Sequence, residues 1–260
     1  MFGQILVTEF LKLRRAKVTW FTLVALSMGP LAIALFMWIV REPERAAKLG
    51  LLGTKASLAG LSATWPAYFS MLTLVTGLGG ALLLAFIVAY VFGREMAEGT
   101  EKNLLALPVA REWFVVGKLV VVAVWWVALA ATVLAEALVI GSALRLPGFS
   151  SALLVGAMQN ALLAAGIAYL LAPVVAWITM LGRGYLPPLG FAFAMLALGN
   201  IFSKTGWATW FPWSIIPAFI GMVGKPLAAL PVHSVVVAGL TFVVGIAGTM
   251  AQMRWGDNTQ

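Results

Sequence analysis

The sequence predicts an all-α protein that crosses a membrane six times, and three observations support this fold class. Of the 260 residues, 62% are hydrophobic and only 10% are charged, whereas a soluble domain carries roughly 25% charge. The mean hydropathy is +1.01, which is typical of a chain whose solvent is lipid. Six apolar stretches are each long enough to cross ~30 Å of hydrocarbon as a helix. They cover about 18–40, 67–92, 114–144, 151–181, 185–202 and 232–253.

The first 17 residues predict an amphipathic helix that lies on the membrane surface. Apolar side chains recur there every three or four residues, and basic side chains gather next to the first span. The apolar residues are Phe2, Ile5, Leu6, Phe10 and Leu13, and the basic residues are Lys12, Arg14, Arg15 and Lys17. The alternative is a simple extension of the first span. No small-residue cleavage pattern follows, so we expect the segment to be retained rather than removed as a signal peptide.

Prolines mark two places within the predicted spans. Pro173 lies inside the fourth span, where it is expected to kink the helix and free a carbonyl. Pro187 and Pro188 open the fifth span, and proline suits the first turn of a helix. No internal repeat is apparent, which weighs against the inverted-repeat secondary transporters.

The connections between the spans are short, so residues 1–260 are expected to form a single transmembrane domain. The longest polar connections, about 41–66 and 93–113, are too small for a hydrophobic core of their own. Six spans place both termini on one side of the membrane, with ten Lys and Arg residues there against seven on the other side. The positive-inside rule then favours cytoplasmic termini, although the basic residues of 41–55 oppose it.

Residues 203–231 contain three tryptophans and four prolines but few charges. This segment is too broken to span a membrane and too apolar for a free loop, and tryptophan is enriched at the headgroup level. We therefore expect short re-entrant or interfacial helices on the outer side, before the last span. The alternative is a collapsed loop packed on helix ends. The residues concerned are Trp207, Trp210, Trp213, Pro212, Pro217, Pro226 and Pro231.

The sequence contains few residues or motifs of the kinds that perform catalysis. The only histidine, His233, lies at a predicted membrane boundary and there is no cysteine, so no metal site is expected. Neither a G-x-S-x-G nucleophile motif nor a G-x-x-x-x-G-K-[ST] phosphate loop occurs. No basic run interleaves with stacking aromatic residues, which argues against nucleic-acid binding. We expect no enzyme activity and no cofactor in this chain.

Glu136 is the one carboxylate deep inside a predicted span. An ionisable group there is costly against lipid, so it should face a cavity or a partner. Gln159 and Asn160 lie at a similar depth in the next, antiparallel span, and we expect one of these amides to hydrogen bond to Glu136. Two interpretations remain open: a polar clamp between helices, in which Glu136 could be protonated, or an acid on a substrate or proton pathway.

The polar stretch 94–112 connects the second and third spans and is rich in charge. Gly99 ends a turn there, and Thr100 can cap a short helix whose first residue, Glu101, suits the positive end of the helix dipole. Pro108 would stop that helix. Its apolar ridge would consist of Leu104, Leu105 and Leu107. A short, charged helix tied to two spans is suited to docking in a partner's groove and transmitting movement; a solvated loop is the alternative.

The pattern R-E-x-x-E-G-T-x-x-x-L-L-x-L-P-V-x-R, from Arg94 to Arg111, with Lys118 after it, resembles the ABC-2-type permease family. These proteins are membrane subunits of type-2 ABC exporters and include the bacitracin and lantibiotic self-protection permeases. The amphipathic start, the six spans and the broken segment before the last span fit the same family. One departure is Ala110, where the family frequently has serine.

The resemblance implies a coupling helix at about Thr100–Leu107, on the cytoplasmic side, and a set of residues that couple the spans to an ATPase. Those residues are Glu95, Glu98, Gly99, Thr100, Glu101, Leu104, Leu105, Pro108 and Arg111. It also implies a second permease copy or a related permease, and ATP-binding cassette subunits that hold the ATP and Mg²⁺. The location implied is the plasma membrane, with both termini cytoplasmic.

The resemblance thus predicts the membrane half of an ATP-driven exporter, and the apolar spans suit a hydrophobic or amphiphilic cargo such as a peptide antibiotic, a drug or a lipid. Two other classes remain open. One is a proton-coupled secondary transporter or channel that uses Glu136. The other is a regulatory membrane subunit that moves nothing itself.

Overall fold

Nine α-helices and one 3₁₀ helix form the computed structural model within the residues that it describes, which are 2–50, 62–100, 110–221 and 229–255. No strand occurs in these ranges, so the all-α fold class is confirmed for them. The α-helices are α1 (Phe2–Arg15), α2 (Lys17–Arg41), α3 (Pro43–Lys48), α4 (Trp65–Ala97), α5 (Arg111–Ala143), α6 (Ser151–Gly182), α7 (Leu186–Phe202), α8 (Ile215–Phe219) and α9 (Val232–Trp255). The 3₁₀ helix, Pro212–Ser214, directly precedes α8.

Five of the described helices are long and apolar enough to cross a membrane, namely α2, α4, α5, α6 and α9. The fifth predicted span corresponds to α7, which is apolar but has only 17 residues. A helix of that length measures about 25 Å, slightly less than the ~30 Å hydrocarbon core. By length and composition, five candidate spans are therefore established.

Local sequence signals set several helix ends. The hydroxyl of Thr64 accepts a hydrogen bond from Ala67 N, 3.4 Å away, at the start of α4. The hydroxyl of Ser150 accepts one from Leu153 N, at 3.1 Å, at the start of α6. Pro187 lies in the first turn of α7, as the sequence predicts. These caps satisfy backbone N–H groups that a helix leaves without a partner.

The helices form an antiparallel bundle with two distinct ends. At the end we call the loop end, α4 finishes, α5 begins, and α1 packs beside them. At the opposite end, Trp65 N donates to Pro147 O at 3.0 Å, and the guanidinium of Arg41 donates to Leu144 O. The last turn of α9 returns to the loop end, where Arg111 meets Met253. The two ends of the described chain, α1 and the end of α9, therefore lie at the same end of the bundle.

The fourth and last predicted spans, α6 and α9, pack most closely. α6 continues through Pro173 without ending. A Cβ built on Gly245 of α9 would lie 2.6 Å from Val174 N, so only glycine permits this approach. The hydroxyl of Thr249 donates to Pro173 O at 3.1 Å. The close contact of Gly245 and Thr249 with α6 attaches α9 to the rest of the bundle.

The described part of 203–231 contains two short helices that enter the bundle. Ile215 and Ile216 are almost completely buried, and the side chains of Ile216 and Ile220 approach Gly77 in the middle of α4. Trp207 and Trp210, by contrast, are exposed. Pro226 lies outside the described residues. The segment therefore combines a buried part with a tryptophan-bearing exposed part.

Candidate functional site

The predicted coupling residues divide into two groups. Glu95, Glu98, Gly99 and Thr100 end α4, and Arg111 begins α5. The remaining members, Glu101, Leu104, Leu105 and Pro108, lie outside the described residues. The geometry at the loop end therefore shows how residues 101–109 are held at their two flanks.

The chain leaves α4 through a tight, glycine-dependent turn. Thr100 N donates to Glu95 O at 2.9 Å, and Gly99 N donates to Met96 O at 3.3 Å. Gly99 has φ +67°, a left-handed conformation that costs glycine little. This pair of bonds is the Schellman arrangement, which satisfies the last carbonyls of a helix and reverses the chain. The predicted turn at Gly99 is confirmed, and it sets the direction in which the chain leaves α4.

Four ionic side chains close a ring beside this turn. The Glu9 carboxylate contacts Lys12 Nζ at 2.6 Å through Oε1 and Lys118 Nζ at 3.2 Å through Oε2. The Glu95 carboxylate contacts the same two ammonium groups, at 3.0 Å from Lys12 and 2.8 Å from Lys118. Each carboxylate thus bridges both lysines. We call Glu9, Lys12, Glu95 and Lys118 the ionic ring; it joins α1, α4 and α5.

Three members of the ionic ring are largely buried, Lys12 is 31% exposed, and the ring contains two acids and two lysines. The side chains of Glu9 and Lys118 are only 5% and 6% exposed. Lys118 Nζ has a third partner, Val91 O at 2.6 Å, so its three N–H donors are all used. Burial lowers the pKa of Lys12, but the hydrogen bond to Glu9 and the charges of Glu95 and Glu9 raise it more, leaving this pKa above its usual value. Burial raises the pKa of Glu95, but the charges and hydrogen bonds of Lys118 and Lys12 lower it more, leaving this pKa below its usual value.

The exit from residues 101–109 is held by the last helix. Arg111 Nη1 donates to Met253 O at 3.0 Å and to Arg254 O at 3.3 Å. A cation suits these free carbonyls at the negative end of the α9 dipole. Arg254 Nε also contacts the Glu112 carboxylate at 2.6 Å. The two flanks of residues 101–109 are thus tied to α1 on one side and to α9 on the other.

Glu98 is the predicted coupling residue that faces outward. Its carboxylate pairs with Arg94 Nε at 2.9 Å, one helical turn earlier, and its side chain is about half exposed. A pair of this kind is worth little to stability. Glu98 is therefore available to a partner at little cost to the fold.

Glu136 is held by a different partner from the one that the sequence predicts. Ser27 Oγ of α2 donates to Glu136 Oε1 at 2.7 Å. Gln159 and Asn160 are exposed on α6, so the expected amide bond to Glu136 is wrong. Depth alone suggested these amides, but the direction in which each side chain leaves its helix decides which groups meet. Glu136 Oε2 is buried with no hydrogen-bond partner among the described residues.

Asn160 instead lines a groove between α4 and α6. Its polar lining also includes Ser70 and Thr73. The groove shares Phe69, Thr73 and Ala157 with a deeper apolar cavity that reaches Trp126. The two cavities therefore adjoin at these residues, and the groove that Asn160 lines has the more polar lining.

Comparison with known protein families decides the class of this protein. The model of a family described as ABC-2 family transporter protein matches residues 5–199, most of the chain. This chain belongs to the ABC-2 transporter family. It is therefore a multi-pass membrane protein and the membrane subunit of an ABC transporter. The match begins within α1 and includes the ionic ring and the flanks of residues 101–109.

The ABC-2 subunit is also similar to a curated protein, the bacitracin transport permease protein BCRB of Bacillus licheniformis. The two are 28% identical over 175 residues, which is 67% of this chain and 84% of that relative. The similarity confirms the family that the sequence resembles.

Three members of the ionic ring in this ABC-2 subunit, Glu9, Lys12 and Lys118, are absent from the coupling set that the sequence predicts. The sequence contains a signal for Glu9: it lies on the same face of α1 as the buried residues Ile5 and Leu13, where a carboxylate needs a cation. For Lys118 the comparable signal is its position among the apolar residues at the start of α5. Which cations and carboxylates meet depends on how three separate helices pack.

Proposed function

We propose that this chain is the transmembrane permease subunit of an ATP-binding cassette exporter, driven by a separate ATPase subunit. One observation carries the proposal. The ionic ring and the Arg111 contacts join the two flanks of residues 101–109, which are the end of α4 and the start of α5, to α1 and α9. A connection that only bridged two spans would need none of these buried ion pairs. A connection that receives force from a partner needs rigid flanks.

The transmission of movement follows from the helices that these residues join. α4 and α5 have 33 residues each, or about 50 Å of continuous helix. A displacement of residues 101–109 by the ATPase would move the ends of α4 and α5 as one body with α1. The start of α4 and the end of α5 lie at the opposite end of the bundle, near Pro147 and Leu144. ATP and Mg²⁺ would bind in the ATPase subunit, and this chain would supply no catalytic residue.

The placement in the membrane that we propose has six spans, with α7 as the fifth. The loop end, which carries α1, residues 101–109 and the end of α9, would be cytoplasmic, in the plasma membrane. The 3₁₀ helix and α8 would then enter the bundle from the outside as a re-entrant segment. Their burial against Gly77 supports this placement.

The cargo that we propose is hydrophobic or amphiphilic: a peptide antibiotic, a drug or a lipid. The groove between α4 and α6 supports this class because its lining changes from Ser70, Thr73 and Asn160 to apolar side chains. The similar protein BCRB is a bacitracin transport permease, which favours a peptide antibiotic. A second permease copy, or a related permease, would complete the transporter.

Charge reversal at two coupling residues tests the proposal. We expect Glu98→Lys and Arg111→Glu to lower the transport-coupled ATPase activity of the purified complex. Glu98→Lys should do so without loss of thermal stability, because Glu98 is exposed. Glu44→Lys is the matched control, since Glu44 is an exposed acid on α3, at the opposite end of the bundle. Full coupled activity in both variants, or no ATPase that co-purifies with the chain, would count against the proposal.

A second function, proton-coupled transport through Glu136, is favoured by one observation, the buried Oε2 without a partner. Proteoliposomes separate the two functions. Transport that requires ATP and a second subunit supports the exporter, whereas transport driven by a pH gradient alone supports the secondary transporter. A regulatory subunit would bind the ATPase without any transport.

A further inference from the structure

The outward face of α1 is apolar along its length. Val7, Phe10 and Leu11 are 60%, 44% and 42% exposed. Their spacing of three and four residues places them on one side of the helix, opposite the buried Ile5 and Leu13. The same row continues one turn further to Arg14. An exposed apolar row that ends in a cation is typical of a helix lying in a membrane surface.

The exposed cations at the junction of α1 and α2 have no partner within the described residues. Arg14, Arg15 and Lys17 are all exposed, and within the described part of the chain their side chains form neither an ion pair nor a hydrogen bond. The single acid of α1, Glu9, is turned inward into the ionic ring. The end of α1 and the start of α2 therefore carry three positive charges that pair with no carboxylate among the described residues.

Three other cations among the described residues at this end of the bundle have partners within the fold. Arg94 pairs with Glu98, Arg254 pairs with Glu112, and Arg111 caps α9. The three unpaired cations are thus concentrated at one place, beside the apolar row and beside Trp20, which is 68% exposed at the start of α2. Tryptophan is enriched at the headgroup level of membranes. An anionic phospholipid matches this arrangement, with its phosphate on the cations and its acyl chains on the apolar row.

We propose that α1 is a binding site for anionic phospholipid headgroups, and that their binding sets how well the ATPase is coupled to the spans. The second part rests on the proposed exporter function. Lipid binding fixes the position of α1 on the membrane surface. Because Glu9 and Lys12 of α1 hold Glu95 and Lys118, a fixed α1 also fixes the flanks of residues 101–109. Anionic lipid should therefore raise coupled ATPase activity.

The first measurement reads lipid binding without any ATPase. The purified chain is placed in phosphatidylcholine vesicles that contain spin-labelled phosphatidylglycerol, and the immobilised lipid is measured by electron paramagnetic resonance. The variant Arg14→Gln/Arg15→Gln/Lys17→Gln should lose the preference for phosphatidylglycerol over phosphatidylcholine. The control Lys48→Gln/Arg145→Gln/Lys204→Gln removes the same charge from exposed sites away from α1 and should keep it. An unchanged preference in the α1 variant would overturn the binding site.

The second measurement reads coupling in the complete complex, in phosphatidylcholine with and without phosphatidylglycerol. Wild type and the control variant should show higher ATPase activity with phosphatidylglycerol, and the α1 variant should lose that rise. Glu9→Gln should keep the lipid preference yet lose part of the rise, because the link through the ionic ring is weakened. If the α1 variant loses the lipid preference but keeps the rise in ATPase activity, lipid binding at α1 does not control coupling, and only that part of the proposal is overturned.

One outcome would assign the same cations to a protein instead. If the α1 variant releases the ATPase in detergent, without any phospholipid, the cations bind the ATPase and the lipid proposal fails. If no ATPase associates with wild type at all, the exporter proposal fails, while the spin-label result still decides the lipid site.

Discussion

At the scale of residues, the ionic ring sets how strongly α1 is attached to the bundle. Removing one member of a buried ion pair leaves a charge that neither water nor a partner solvates, which costs about 3–5 kcal/mol. Removing both members avoids that cost. In the ionic ring, Lys118 and Glu9 are the two most buried members. Glu9 of α1 contacts Lys118 of α5, and Lys118 also contacts Glu95 of α4.

The energetic coupling between Glu9 and Lys118 is therefore a direct prediction. Lys118→Met alone should destabilise the protein by roughly 3 kcal/mol because it leaves two carboxylates facing one ammonium. The double variant Glu9→Gln/Lys118→Met should be less destabilised than the sum of its single variants. Thermal unfolding in detergent measures the stability of the wild type, the two single variants and the double variant. The matched control is Glu98→Gln, which breaks the exposed pair with Arg94 and should change stability by less than about 1 kcal/mol.

Glu136 shows how an acid within a span depends on a single hydrogen bond. Ser27 satisfies one carboxylate oxygen, and the other has no partner among the described residues. The two interpretations from the sequence, a clamp or a pathway acid, differ in what the second oxygen does during transport.

We expect Glu136→Gln to keep the fold and the abundance of the protein, because the amide oxygen can accept the same bond from Ser27. Ser27→Ala should cost about 1 kcal/mol, since it leaves the carboxylate without a partner. Abundance, thermal stability and transport are measured for both variants. Transport that is unchanged in Glu136→Gln would remove any functional role for this acid and leave the clamp.

At the scale of elements, the contact of α9 with α6 depends on glycine. Without a hydrophobic driving force between helices in lipid, close backbone approach provides the attraction, and small residues permit it. Gly245 lies against the backbone of Pro173 and Val174, while Gly239 of the same helix faces open space.

Gly245→Ala should therefore separate the two helices and lower the melting temperature of the purified protein. Gly239→Ala is the control in the same helix, and it should be neutral or slightly stabilising because alanine favours a helix by about 1 kcal/mol over glycine. Thermal unfolding in detergent compares them. Equal melting temperatures for the two variants would show that α6 and α9 are not held together at Gly245.

At the scale of the whole molecule, the absence of cysteine allows a direct test of the topology. Single cysteines replacing Arg15 and Glu98 should react with an impermeant thiol reagent from one side of the membrane. Cysteines replacing Lys48 and Lys204 should react from the other side. Lys204 follows α7, so its reactivity decides whether this 17-residue helix crosses. Labelling of Lys204→Cys and Glu98→Cys from the same side would contradict six spans.

The sequence alone determined the solvent of this protein, most of its spans and its family. Hydropathy places five long helices where the structure has them, because each span satisfies its own backbone hydrogen bonds whatever its neighbours are. The turn at Gly99 was also predictable, since the left-handed conformation is local. Residues Arg94–Arg111 carry the family resemblance in one continuous stretch.

Only the tertiary structure decided which distant side chains meet. Glu9 accepts a hydrogen bond from Lys118, which is 109 residues away in the sequence. Glu136 accepts one from Ser27, at the same separation, and not from an amide on the following helix. Depth in the membrane can be read from the sequence, but rotation of each helix about its axis cannot, because apolar residues surround these spans on nearly every face. Helix packing sets that rotation and thereby joins α1 to the flanks of residues 101–109.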